Sequence, residues 1–340
     1  MAHVSRREFI GALTAVAVLP AAARAAGPGF ARVALVEDPR ATSSVTRIDA
    51  AVVSRMAEEA LKLFARTASA REAMARLFKP SERVAIKVNA FGHPCSMVNP
   101  ATALALARAL VEAGLSKPNI RIYDQYIGRM RGAGYRIGRP ADGFWVSGPD
   151  GADPTLQLYE DGRHRVRFHW ANALTWADAV INVCVPKDHD LTGITGALKN
   201  VVFGSIRPTA DRERRPNGYT VVPAFHRNNA DPAIATLYAR PEIRDRVRLV
   251  VCDATRVLYQ GGPKDNERYR ARNNQLLVST DPVAMDVMIL EIVNRHRLAH
   301  RLRRIEDDPR RPPRHIATAA RLGLGVADRA RIVVDKKMLG

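Results

Sequence analysis

The chain has 340 residues, enough for two average domains or one large α/β domain, with 46% hydrophobic and 26% charged residues. That composition excludes a disordered chain and a collagen-like repeat, and three cysteines are too few for a disulfide scaffold. Lys and Arg number 53 against 34 Asp and Glu, a formal charge of +19, which points to an anionic partner or to an arginine-rich proteome.

The N-terminus reads as a bacterial twin-arginine export signal over residues 1–26. The paired Arg6 and Arg7 precede a short apolar run from Ile10 to Leu19 and a small-residue end at Ala23-Arg24-Ala25. The run is shorter than the roughly 20 residues that span a bilayer. This signal predicts a periplasmic protein with the twin-arginine translocase as a partner. Because that route carries folded chains, it also favours a cofactor or metal inserted before export.

Over residues 27–340, β-branched runs alternate with helical patterns. Strands are expected at 32–36, 83–88, 119–123, 179–185, 248–252, 276–278 and 331–334, several of them so uniformly apolar that both faces should be buried. Asn99 and Pro100 open a helix that Gly114 stops, and Asp281-Pro282 opens another. The alternation predicts an α/β fold: a mostly parallel sheet in Rossmann-like layers, with helices on both faces. Residues 137–162 read as loops or a small hairpin excursion, and 207–218 as a basic exposed loop.

The most informative segment runs from Val183 to Asn200. It follows a buried strand, where open α/β sheets place their ligands. Thr192, Gly193, Thr195 and Gly196 make a glycine-rich entry to a helix, an arrangement that offers amides and a positive helix end to an anion. Lys199 adds a charge and Asn200 a polar group, while Lys187, Asp188, His189 and Asp190 crowd the same turn. A glycine–threonine turn alone is a plain polar turn; the charged and imidazole groups beside it mark a site. No Gly-Lys-Ser/Thr follows at Walker spacing, so nucleotide hydrolysis is not supported.

Lys87 interrupts an apolar strand near its end, and its ammonium needs a polar partner or an anion. Asn89 and His93 follow on the same loop edge. Asp253 ends another strand and joins His189 as a candidate metal ligand, whereas Asp281 caps its helix and Asp286 lies on it. Parallel-strand topology should bring Lys87 and the His189–Lys199 loop to one edge of the sheet.

At Val84 to Asn89, at Val185 to Asn200 with Gly204, and at Ser279 to Asp286, the sequence resembles the domain of unknown function 362 family, often labelled iron–sulfur-associated. The resemblance implies an α/β domain with a basic polar site and no settled activity. The chain departs from the iron–sulfur label: Cys95, Cys184 and Cys252 are far apart and form no C-x-x-C, and three cysteines do not ligate a four-cysteine cluster. A ferredoxin-type cluster is therefore not expected. His189, Gly193, Gly196 and Lys199 are also arranged similarly to a motif of nickel-pincer lactate racemases, although His226 looks badly spaced for a second histidine of that kind.

Two functional classes follow. One is an exported enzyme in which Lys87, His189 and Lys199 act on a small anionic substrate or cofactor, lined by Thr192, Gly193, Thr195, Gly196, Asn200 and Asn89. The other is a non-catalytic periplasmic protein that binds an anion, a metal or a redox partner. Nucleic acid is not expected, since no binding motif is present and aromatic residues are only 6%.

Overall fold

The computed structural model describes residues 29–138, 143–162, 164–209 and 222–340. The export signal read at 1–26 and most of the basic loop read at 207–218 lie outside these residues. The strands are β1 Ala31–Glu37, β2 Val84–Lys87, β3 Ile120–Tyr123, β4 Trp145–Ser147, β5 Gln157–Asp161, β6 His164–Trp170, β7 Ala179–Cys184, β8 Lys187–His189, β9 Gly193–Thr195, β10 Ile206–Arg207, β11 Val247–Leu258, β12 Arg270–Ser279 and β13 Ile332–Met338.

The main sheet runs β13-β1-β12-β11-β7-β2-β3-β4, with β8 pairing β11 and β9 pairing β8. Strands β4, β3, β2, β7 and β11 are mutually parallel. Strand β9 runs against β8, and β12 runs against its neighbours β1 and β11. It follows β11 through a short connection without a crossover helix, and such a connection permits only antiparallel pairing. Of the segment 137–162, β4 joins the main sheet, while β5 pairs antiparallel with β6 beyond the segment, and β10 joins as a third strand.

Strand parity divides the core in two. Val180 and Cys184 of β7 pack on one face with Ala85 of β2, Val250 and Cys252 of β11, and helices Ala197–Gly204, Ala233–Tyr238 and Pro282–Ala299. Ile181 and Val183 pack on the other with Val84, Ile86, Leu249, Val251 and helices Ala50–Ala65, Ala70–Leu77 and Pro100–Glu112. Lys87, one residue beyond Ile86, therefore shares the first face with Ala85. Asp253, beyond Cys252, shares the second with Val251. Among the described residues no helix is long and apolar enough to cross a membrane.

Helix Ala197–Gly204 starts against Asp286, whose fully buried carboxylate accepts the amides of Ala197 and, at 3.3 Å, Leu198. A β-carbon at Gly196 would overlap that carboxylate. Gly193 takes φ +78°, and a β-carbon there would lie 2.8 Å from the Arg311 carbonyl. Both glycines thus serve internal packing, and the helix start expected to receive an external anion already holds one from the protein itself. Asp286→Ala should cost about 1–3 kcal/mol by leaving buried amides without an acceptor. The check is urea unfolding: the midpoint should fall while the slope stays unchanged, and an unaltered midpoint would contradict the capping role.

Candidate active site

The C-terminal ends of β2, β3 and β7 open on one cavity of about 390 Å³. Lys87, Asn89, Asp124, Lys187, His189, Thr195, Lys199, Asn200, Phe203 and His226 are among its lining residues. The edge of the sheet thus unites Lys87 with the His189–Lys199 segment. A polar chain forms its floor. Lys87 Nζ donates to Asp124 Oδ1 at 2.8 Å, to the Val88 carbonyl at 2.6 Å and to Asn200 Oδ1 at 3.1 Å. Asn200 Oδ1 also accepts from Asn89 Nδ2 at 3.1 Å, and Asn89 Oδ1 accepts from Lys187 Nζ at 2.9 Å. Asn200 Nδ2 donates to Asn182 Oδ1 at 2.7 Å and to the Val183 carbonyl at 2.9 Å, tying the chain to β7. Gly204 ends the helix on top of Lys87, where a β-carbon would overlap the lysine's terminal carbon and nitrogen.

The three lysines differ in their partners. Lys87 has a carboxylate, Asp124, which also accepts the amides of Ala90 and Gln125. Lys187 is fully buried and, among the described residues, donates only to neutral oxygens: Asn89 Oδ1, the Phe91 carbonyl at 2.7 Å and the Ser96 carbonyl at 3.4 Å. Lys199 makes no hydrogen bond among the described residues and lies 4.8 Å from the centre of the Phe203 ring. Burial, helped by the charge of Lys199, pushes Lys187 down to about 7. Burial likewise pushes Lys199 down to about 7, with Asp190 opposing the shift and Lys87 adding to it. Thr195 is also buried, and its hydroxyl has no partner among the described residues.

Two imidazoles face these amines. His189 and His226 stack with ring centres 5.4 Å apart and planes 18° from parallel, and the edge of Phe203 meets His226 at 5.0 Å. Burial first and Lys199 second hold His226 down to about 4 and His189 well below its ordinary value, so both rings are neutral at pH 7. The Leu191 amide donates to His189 Nδ1 at 3.1 Å, which leaves the ring proton on Nε2. Asp190 Oδ1 also lies 3.2 Å from Nδ1, but this carboxylate is 64% exposed and solvated, and the directed amide decides the tautomer. His226 Nδ1 faces the Val222 carbonyl at 3.0 Å and must donate to it, so its Nε2 bears a free lone pair. One ring can give a proton while its neighbour takes one.

Strand parity separates the remaining candidates. Asp188, between Lys187 and His189 on β8, points away to Arg311 at 2.7 Å and to the Gly262 amide at 3.0 Å, anchoring the β8–β9 hairpin from behind. Thr192 turns its hydroxyl to the Ile194 carbonyl at 2.9 Å. Asp253 lies on the opposite face: Oδ2 accepts the Asn99 amide and the Thr102 hydroxyl, both at 2.9 Å, and Oδ1 the Thr255 hydroxyl at 2.7 Å. It anchors helix Pro100–Glu112 and does not join His189 in a metal site. Among the described residues no three His, Cys, Asp or Glu side chains are placed to hold a metal ion. Asp124 and His226, absent from the sequence-derived site, are the additions. Asp124 follows strand β3 as Lys87 ends β2, a signal present in the sequence. His226 is set by tertiary packing that spacing does not encode.

A family model for the domain of unknown function DUF362 matches residues 84–291, well over half of the chain. The chain belongs to the DUF362 family. The matched span holds Lys87, Asp124, Lys187, His189, Lys199 and His226 together, so the whole cavity wall just described lies within the DUF362 domain. No curated protein matches the chain. Among solved structures, the lactate racemase apoprotein from Thermoanaerobacterium thermosaccharolyticum is similar with a TM-score of 0.41 and 12% identity. The match covers 78% of this chain and 57% of that one.

The unequal lysines separate in stability measurements. Asp124→Ala leaves Lys87 buried without its counter-charge and should cost about 3–5 kcal/mol. Lys199→Met should instead stabilise the protein, since burial of its ammonium opposes folding. The advantage should be greatest up to about pH 7 and shrink towards 10.5, because in that window the unfolded chain holds a proton that the native amine has lost. Chemical unfolding of both variants at several pH values checks both signs.

Proposed function

We propose that this DUF362 protein is an enzyme acting on a small anionic substrate at the Lys187–Lys199–His189–His226 wall. The observation that carries the reading is the pair of buried amines, Lys187 and Lys199, neither of which has a carboxylate partner among the described residues. A protonated amine in such a place lacks compensation until an anion arrives, and the free Thr195 hydroxyl offers the anion a further contact. The neutral histidines, one a donor and one an acceptor at Nε2, supply general acid–base groups, each worth about a hundred- to ten-thousand-fold in rate. Lys87, neutralised by Asp124, holds Asn200 and Asn89 in register and leaves the ligand to the other two lysines. Export through the twin-arginine route belongs to the same proposal and rests on Arg6, Arg7 and the apolar run after them. A non-catalytic anion carrier would use the same amines and have no need of the two imidazoles.

Calorimetric titration with oxalate and with inorganic phosphate tests the site. Each charge-assisted contact should contribute about 1.5–3 kcal/mol, so Lys199→Ala should weaken binding by about ten- to a hundred-fold. Affinity should fall as pH rises from 6 to 9, because both amines lose their protons near pH 7. Above pH 7 binding should take up protons, visible as a dependence of the measured heat on buffer ionisation. Absence of binding by either anion at pH 6 would sink the reading. For export, Arg6→Lys with Arg7→Lys should leave full-length precursor in the cytoplasm; normal periplasmic accumulation of the double variant would remove that part.

A further inference from the structure

We propose that Lys199 is a covalent nucleophile, whose ε-amine condenses with the carbonyl carbon of a small 2-oxo acid to form an imine. The inference deepens the anion reading by naming the substrate class, and it rests on how the three amines of one cavity are held. An ammonium carries three N–H groups and needs three acceptors when buried; a neutral amine keeps two N–H groups and a lone pair and costs less to bury without them. Lys87 has three acceptors, one of them the Asp124 carboxylate. Lys187 also has three, all neutral oxygens. Lys199, only 7% exposed, has none among the described residues and stands over the face of Phe203. The surroundings thus supply hydrogen-bond acceptors to the first two amines and, among the described residues, none to the third.

The rest of the wall fits this chemistry. A desolvated lysine beside another cationic group is the arrangement that yields a nucleophilic amine near neutral pH. Lys187 supplies the neighbouring charge and, with the Thr195 hydroxyl, a place for the carboxylate of the 2-oxo acid. The low affinity of Lys199 for its proton agrees with the geometry. The titratable groups whose charges bear on it are Lys87, Lys187, Asp190, His189 and His226.

The step balances without oxidant or reductant. The Nζ lone pair forms the C–N bond as the carbonyl π pair moves to oxygen. His226 Nε2 can accept a proton released by the nitrogen, and His189 Nε2–H can donate one to the oxygen. The C–O bond of the resulting carbinolamine then breaks as C=N forms: His226 returns its proton to the departing hydroxyl, which leaves as water, and the remaining N–H proton goes back to His189 Nε2. Both amine hydrogens are thereby accounted for, and both rings end as they began.

The test treats the protein with pyruvate and sodium cyanoborohydride, follows intact mass, and maps the modified peptide. One adduct per chain on Lys199 is expected, with an initial rate at saturating pyruvate about tenfold higher at pH 8 than at pH 6, following the fraction of neutral amine. Lys199→Arg should abolish it, and oxalate, which has two carboxylates and no ketone, should protect the wild type. Adducts scattered over exposed lysines, or unchanged labelling in Lys199→Arg, would overturn the proposal. Mapping in the wild type decides the matter even if that variant folds poorly. Oxalate binding without any Lys199 adduct would overturn the imine and leave the anion site standing, whereas an adduct without oxalate binding would retain the nucleophile and remove the anion site.

Discussion

The buried ion pair between Lys87 and Asp124 sets the geometry of everything above it. Neither side chain is more than a few per cent exposed, and each has further partners that fix its direction. A buried pair of this kind contributes little net stability over an apolar replacement, but breaking it leaves an uncompensated charge. What it provides is registration. It joins the ends of β2 and β3, and through Asn200 and Asn89 it fixes where helix Ala197–Gly204 and Lys187 sit relative to both strands. Gly204 permits that approach by leaving room for the lysine's terminal atoms.

On that floor, residues of one type take different roles from different neighbours. Three lysines and two histidines meet one cavity, yet of the lysines Lys87 alone has a carboxylate at hydrogen-bond distance among the described residues. The histidines carry opposite tautomers because one ring nitrogen meets an amide and the other a carbonyl. The chemical asymmetry of the site is thus a property of the backbone around it.

Much of this was legible in the sequence. The alternation of strand and helix, the capping signals at Asn99 and Asp281, and the placement of a site after β7 follow from local periodicity and from the rule that parallel strands end together. Two expectations failed on side-chain direction. The sequence pattern points Asp253 and Thr192 at the site, but parity along β11 turns Asp253 to the far face, and the hairpin folds the Thr192 hydroxyl onto the Ile194 carbonyl. The glycines were read as an anion cradle, and Asp286, nearly ninety residues away, occupies it. A carboxylate arriving from another helix leaves no mark in the local pattern. The same holds for His226, whose stacking on His189 depends on how a distant segment packs.

The Asp286 cap has a bearing on the electrical character of the cavity. With the helix end answered from within, no permanent positive pole remains there; the cavity's unmatched cations are amines that gain or lose a proton near neutrality. Under the proposed function, such a pocket gains charge as an anionic guest enters, taking up protons from the solvent in place of displacing a cloud of counter-ions. Recognition of this kind is buffered against changes in ionic strength, in contrast to the salt-sensitive attraction that the chain's overall excess of arginine and lysine would produce.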